Sequence, residues 1–243
     1  ISDVDPYNIR KNSKMLNADD FFKLIESPEL AEAVRIRANV PLAQVNVQLA
    51  NIVSEAKLAL RLLNTPPVGP LKPDSRILEV GAGIGAVSTL LRARGAQVLA
   101  IEPGIPGFDL FESIRAELDG RLSGLLAPLV PRAAASLDFK IDGYFDRIFS
   151  VNVLEHCQPL DLTLDRLAAV LAPGGIMVHT CPNYLVPYEP HFQIPLVPFL
   201  PKFTTRFKPS LKSDPVWRSL NFITSQDFKR AAKRNGLNLK FES

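Results

Sequence analysis

The chain has 243 residues, 47% of them hydrophobic, which is enough to bury a sizeable core as one α/β domain with an appended helical piece. Its 28 basic and 25 acidic side chains leave a net charge of +3, so the total makes no strong electrostatic case for nucleic acid. No run of roughly 18 apolar residues is free of Pro and Gly, and no charged-then-apolar leader opens the sequence, so a membrane span and secretion are unsupported and a cytoplasmic location is expected. Cys157 and Cys181 are too few for a disulfide framework and lack metal-ligand spacing, so no metal is expected and reduced thiols are the default.

From Ile1 to Asn17 the chain is polar and without sustained period, which suggests a loose arm. Ser27-Pro28-Glu29 then offers a cap, a first-turn proline and a first-turn acid for a helix through Leu30, Val34 and Arg37. A longer helix should start near Pro41, because Val45, Leu49, Ile52, Ala56, Leu60 and Leu63 recur at three- and four-residue steps on one face. That face can pack on the main domain, act as a lid or form a homodimer contact. Asn64 to Pro70 breaks the helix with a stiff, proline-rich linker.

Next comes Ile77-Leu-Glu-Val-Gly-Ala-Gly-Ile-Gly-Ala-Val-Ser88, a short apolar run that breaks into spaced glycines and resumes at helical spacing. A strand, a tight turn and a helix to about Gly95 are expected, with backbone N–H groups free to face a polar or anionic ligand. Nicotinamide enzymes use the related pattern G-x-G-x-x-G, but here the third glycine comes one residue early. Val98 to Ile101 should form the second strand, ending in Glu102-Pro103-Gly104, and a helix is expected from about Gly107 to Leu118. The third strand is the least defined, because Ser123 to Leu137 fits several registers.

This block, with Glu79 before the turn, resembles the class I S-adenosylmethionine-dependent methyltransferases, whose first motif reads E/D-x-G-x-G-x-G. Two later blocks extend the resemblance: Tyr144 to Cys157, similar to the family's FDxIxxxxVLEH, and Leu171 to Thr180, similar to its LxPGG turn into a fifth strand. Pro173, Gly174 and Gly175 are expected to stop a helix running through Leu162, Leu167, Val170 and Leu171. The resemblance implies an α/β three-layer Rossmann-like methyltransferase sheet, mostly parallel, with an N-terminal helical extension. Residues 1–70 would be the arm and the lid or dimerisation segment, and 71–243 the S-adenosylmethionine-binding domain.

By the same resemblance Glu79, Gly81, Gly83, Gly85, Glu102, Pro103, Ala134, Asn152 and Leu154 would surround S-adenosylmethionine, with Glu102 on the ribose hydroxyls. The adenine contact would fall to backbone near Ala134 or to Asp138, since Ala133 stands where the family often has an acid.

Open α/β sheets bind ligands beyond the carboxyl ends of their strands, where His156 and the loop from Cys181 to Phe192 are placed. A subset of bacterial small-molecule methyltransferases carries a similar PNxxxPYEPHF stretch. It implies that Asn183, Tyr184, Tyr188, Glu189 and His191 face a small-molecule acceptor; Phe192 is a further substrate-binding candidate, and His191, Glu189 and, from its place after the fourth strand, His156 are the catalytic candidates. In the alternative, Glu189 and His191 brace the loop while Tyr188 and Phe192 anchor it in the core. Phe192 to Pro201 is apolar and proline-punctuated, a pocket wall or a partner surface.

Basic residues scattered from Lys202 to Lys240 read mainly as a solvated face, with recognition of an acidic or phosphorylated partner as the sharper alternative. Thr224 to Asp227 should cap a helix ending at Asn235-Gly236, and Leu237 to Phe241 should form a sixth strand. The seventh, antiparallel strand usual in the resembled fold is expected beyond Ser243 or from elsewhere. Methyl transfer is the leading reading, at oxygen first, then nitrogen or carbon. A scaffold retaining the fold without turnover and a nicotinamide oxidoreductase are the rivals.

Overall fold

The computed structural model describes residues 16–65, 68–69, 74–104 and 110–241. The expected arm therefore lies outside the described residues up to position 15, as do Pro66, Pro67 and Pro70 of the linker and the expected helix start at Gly107.

Helix α1 (Ala18–Ile25), which the periodicity of so short a segment did not announce, is capped by the Asn17 side chain accepting from the Asp19 N–H at 2.9 Å. It buries Phe21, Phe22 and Ile25. Helix α2 (Pro28–Ala38) begins as expected, with Ser27 Oγ accepting from the Leu30 N–H and Pro28 in the first turn, and ends at left-handed Asn39. Helix α3 (Leu42–Asn64) buries Val45, Leu49, Ile52, Val53, Ala56 and Leu63. That stripe shares one apolar cluster with Phe21, Val34, Leu90 and Ile114, so it is used up inside the chain and is not free to form a dimer contact.

The sheet contains β1 (Arg76–Val80), β2 (Gln97–Ile101), β3 (Leu129–Val130), β4 (Phe145–Val151) and β5 (Leu171–Thr180), all parallel in the order β3-β2-β1-β4-β5. Alternation sends neighbouring residues to opposite faces. Ile77 joins the core beneath α3, α4 (Ala86–Ala93) and α5 (Leu110–Leu122), whereas Leu78 joins the one beneath α7 (Leu160–Ala169) and α9 (Ser225–Arg234). The result is the expected three-layer Rossmann-like architecture, and its strand order reverses between β1 and β4, where doubly wound sheets open a crevice.

Two expectations, on the end of α7 and on residues 237–241, need correction, and the open register of the third strand is now defined. Helix α7 stops at Ala169, and Leu171 already pairs with Phe145, so Pro173, Gly174 and Gly175 form an irregularity inside β5 and do not terminate the helix. The third strand shrinks to two residues, because the segment around it offers only Leu129 and Val130 to the β2 edge. Leu237 to Phe241 is not a strand: among the described residues it has no ladder partner, and Leu239 and Phe241 are exposed. The helix before it is as expected, with Thr224 N–H and Oγ1 both donating to the Asp227 carboxylate at 2.7 and 2.6 Å.

Candidate active site

The turn after β1 is built by backbone. Gly81 and Ala82 N–H donate to the Ile101 carbonyl at 2.9 and 3.1 Å, which pulls the chain tightly across the end of β2. Gly81 has φ +67°, and a Cβ there would collide with the Val153 side chain, so only glycine fits. Gly85 also has positive φ, but its missing Cβ leaves room for Arg115 and Leu129, so this third glycine serves packing and does not line the cavity.

Glu102, just past β2, accepts the Gly83 N–H on one oxygen at 2.8 Å and the Gly104 N–H on the other at 3.0 Å. Each oxygen keeps a further lone pair for a ligand hydroxyl. Glu79 is buried and aims at α4, where it accepts both the N–H (3.0 Å) and the hydroxyl of Ser88. Burial pushes its carboxyl up to about 7, against the Ser88 hydrogen bonds that favour the anion, with the Glu102 charge adding to the rise. Its first task is therefore to fasten the helix start beneath the turn.

These groups border a cavity of about 520 Å³, within the usual size of small-molecule sites. Glu79, Gly81, Gly83, Glu102, Pro103, Ala134, Asn152, His156 and His191 line it, and so do Ala133 and Ala135. Leu154 does not: it is wholly buried in the core on the α7 side. Asp138, the alternative adenine partner, is committed to the first turn of α6 (Phe139–Asp142), where it accepts the Lys140 N–H at 2.9 Å.

Across the cavity, α3 contributes Gln48, Asn51 and Glu55. The apolar periodicity of this helix does not point to them. Their i, i+3, i+7 spacing forms a polar stripe beside the apolar one, which was the available signal. Glu55 Oε1 accepts the Asn152 side-chain N–H at 2.8 Å, joining α3 to the end of β4. Burial pushes the Glu55 carboxyl up, partly offset by Asn152 and by the charge of His191.

The acceptor-side loop is built by side chains. Strands β6 (Tyr188–Glu189) and β7 (Ile194–Pro195) pair antiparallel and carry Glu189 into full burial. Its carboxylate accepts from His191 Nδ1 at 2.6 Å, Tyr184 OH at 3.1 Å and Phe192 N–H at 2.8 Å. Burial works against its charge, but these donors prevail and hold it below the usual carboxylate range. Burial likewise disfavours a charged His191, yet the Glu189 hydrogen bond and charge, with Glu155 and Glu55 nearby, raise it above the ordinary histidine value. His191 reaches the cavity; Glu189 sits behind it, outside the lining.

His156 packs edge-on against His191 with ring centroids 5.1 Å apart. Burial and the charge of His191 push it down to about 4, despite the opposing pull of Glu189. Ser219 Oγ donates to the Val216 carbonyl at 2.7 Å, so it accepts from His156 Nδ1, also at 2.7 Å, and the Nε2 of His156 carries the lone pair. Beside it, Glu155 is fully buried, neither carboxyl oxygen meets a hydrogen-bond partner among the described residues, and burial pushes its carboxyl up to about 7. Glu155, His156 and His191 bring one potential metal-ligand atom each within 4.8 Å of the others, a grouping that their sequence spacing did not suggest.

The other loop residues point elsewhere. Asn183 Oδ1 accepts the Ser225 and Leu185 N–H groups at 3.1 and 3.3 Å, tying the loop to the start of α9. Tyr184 is buried under Glu189, Phe192 packs on Trp217 at 5.9 Å, and Tyr188 is exposed outside the cavity. None of the four lines it, because the loop spends them on holding Glu189 and His191 in place. Cys157 lines the cavity and Cys181 does not; both thiols are free, and burial pushes each up to about 12.

A glycine turn at the switch point, an acid past β2 and a histidine cluster past β4 and β5 agree with what the family comparison finds: a methyltransferase-domain model matches residues 51–240. The chain belongs to that family. Among relatives of this methyltransferase domain, the uncharacterized protein Rv1509 of Mycobacterium tuberculosis is 37% identical over 199 residues, 78% of this chain and 66% of that protein. The ubiquinone biosynthesis O-methyltransferase of Nitrobacter winogradskyi is 27% identical over 168 residues, 69% of this chain and 58% of the relative. The chain thus spans somewhat less than two thirds of the length of these two relatives. The structure of Haemonchus contortus phosphoethanolamine N-methyltransferase 2 in complex with S-adenosyl-L-methionine shares the fold, with TM-score 0.53 at 20% identity over 74% of this chain and 36% of that one.

Proposed function

We propose that the chain transfers a methyl group from S-adenosylmethionine to a hydroxyl oxygen of a small-molecule acceptor. The observation that carries this reading is that one cavity holds both the glycine turn with Glu102 and the His191 imidazole backed by Glu189. The cofactor site fits on its own terms. Side-chain-free backbone at Gly81 and Gly83 allows close approach, and Glu102 has spare acceptor capacity for a pair of ribose hydroxyls. When bound, the cofactor supplies an electrophilic methyl carbon on a sulfonium.

The protein's remaining work is positioning and proton removal. Glu189 accepts from Nδ1, which fixes the neutral tautomer of His191 with its lone pair on Nε2, the atom suited to take a hydroxyl proton. Gln48, Asn51, Glu55 and Asn152 surround the acceptor side with groups that hydrogen-bond a polar molecule, and α3 acts as its lid. Among the described residues no helix is long and apolar enough to cross a membrane.

The test is release of S-adenosylhomocysteine across a panel of small hydroxyl and amine acceptors. Turnover with hydroxyl acceptors that His191→Ala lowers by about 10²–10⁴-fold is expected. Turnover confined to amines, or indifferent to His191→Ala, would overturn the oxygen assignment. Turnover that needs a divalent cation and stops with a chelator would reassign Glu155, His156 and His191 to a metal.

A further inference from the structure

Beyond the acceptor loop, residues 190–213 contain no Asp or Glu but include Lys202, Arg206, Lys208 and Lys212, all exposed. None of these four cations is held in an ion pair among the described residues. Interleaved with them stand Phe199, Leu200, Phe203 and Phe207, with Phe199 at 94% and Phe207 at 74% exposure. These apolar side chains are grouped. Phe199, Leu200 and Phe203 border one shallow groove with Phe222, and the Phe203 and Phe207 rings meet edge-on at 6.0 Å.

The display is built, not frayed. Phe199 occupies the left-handed region at φ +60°, a conformation costly for a residue with a bulky side chain. The segment is braced from within by the Val197 N–H donating to the buried Thr204 hydroxyl at 3.0 Å, and by one short 3-10 helix (Pro201–Arg206) that exposes Phe203 and, at its C-terminal end, Phe207. A backbone held in an unfavourable conformation so as to point a phenyl ring into water implies a partner for the ring. Aromatic rings beside unpaired lysines and arginines match the chemistry of a bilayer interface, where rings enter the boundary between headgroups and acyl chains while cations meet anionic headgroups.

We propose that this face binds the surface of an anionic lipid bilayer peripherally, with Phe199, Phe203 and Phe207 inserted and Lys202, Arg206 and Lys208 on the headgroups. The Leu196 N–H bond to the Pro187 carbonyl at 2.9 Å and the β6–β7 pairing join this segment directly to the loop that carries His191. Docking would therefore place the acceptor loop beside the membrane. The inference stands on exposure and charge, and is independent of which atom is methylated.

The experiment is flotation of the full chain with vesicles of phosphatidylcholine alone and of phosphatidylcholine mixed with phosphatidylglycerol. The chain should float with the mixed vesicles, bind at least about tenfold more weakly to phosphatidylcholine alone, and lose binding as salt rises. The variant Phe199→Ser/Phe203→Ser/Phe207→Ser should lose binding by at least about tenfold while keeping the wild-type melting temperature, since these rings stand outside the core. Lys202→Glu/Arg206→Glu should lose it likewise. Absence of flotation, equal binding to both vesicle types, or unchanged binding by the triple variant would overturn the proposal. So would concentration-dependent self-association that the triple variant abolishes, because the partner would then be a second copy.

Discussion

The glycine turn and the acceptor loop face the same cavity, but they are made of different material. Between Gly81 and Glu102 the structure relies on backbone: N–H groups of Gly81, Ala82 and Gly83 are fixed by a strand-end carbonyl and one carboxylate. Between Asn183 and Phe192 it relies on side chains, where a buried Glu189 gathers three donors and presents one imidazole. Backbone geometry places a common ligand in the same way whatever the neighbouring residues. A side-chain cage defines one reaction and changes with each substitution, so substitutions in the two regions should have separable effects.

The largest separation is expected from His191→Ala. Loss of a positioned base should lower turnover by about 10²–10⁴-fold, while affinity for S-adenosylhomocysteine stays within about twofold, read by initial rates and calorimetry on the same preparation. A parallel loss of both would merge the two regions into one unit. The mirror experiment is Glu102→Ala, which removes an acceptor of charge-assisted hydrogen bonds. It should weaken cofactor affinity by about 3 kcal/mol, or roughly 100-fold, with little change in the melting temperature of a half-exposed site.

Charge at His191 sharpens the comparison further. Its value is raised, and the base must be neutral to act, so activity should rise with pH along a limb whose midpoint lies above the ordinary histidine value of about 6.5. Glu189→Gln should move that limb to lower pH. The stability linked to the protonated His191 should be fully present below about 6.5 and fade as pH rises through the folded value. For Glu189, held low, stability is present above the ordinary carboxylate range and fades as pH falls through its folded value. A limb that Glu189→Gln leaves in place would detach His191 from its carboxylate.

The smallest effect should come from Asn183→Ala, which frees two N–H groups at the edge of the loop. A loss of about 1 kcal/mol in thermal or denaturant unfolding is expected, with cofactor affinity unchanged.

Backbone-built parts were legible in the sequence because glycine, proline and caps act locally. The spacing of Gly81 and Gly83, the acid at 102 and the Ser27-Pro28 helix start all lie where their chemistry requires. Strand register was less legible: Leu171 joined β5 early, and 237–241 stayed unpaired, since a ladder depends on a distant neighbour. The side-chain cage was half legible. His191 and Glu189 come together, but Tyr184, Phe192 and Asn183 turn to support them, and only tertiary packing reveals that Glu55 and Asn51 approach from a helix more than a hundred residues away. Gly85 and Leu154 show the complementary error, in which a motif position serves the core and not the ligand.

The most direct test of a cofactor-dependent methyl transfer site is calorimetric titration of the wild-type chain and His191→Ala with S-adenosylhomocysteine. The structure predicts saturable single-site binding, equal within about twofold in the two proteins and roughly 100-fold weaker in Glu102→Ala. No saturable binding by the wild-type chain at high micromolar ligand would contradict it.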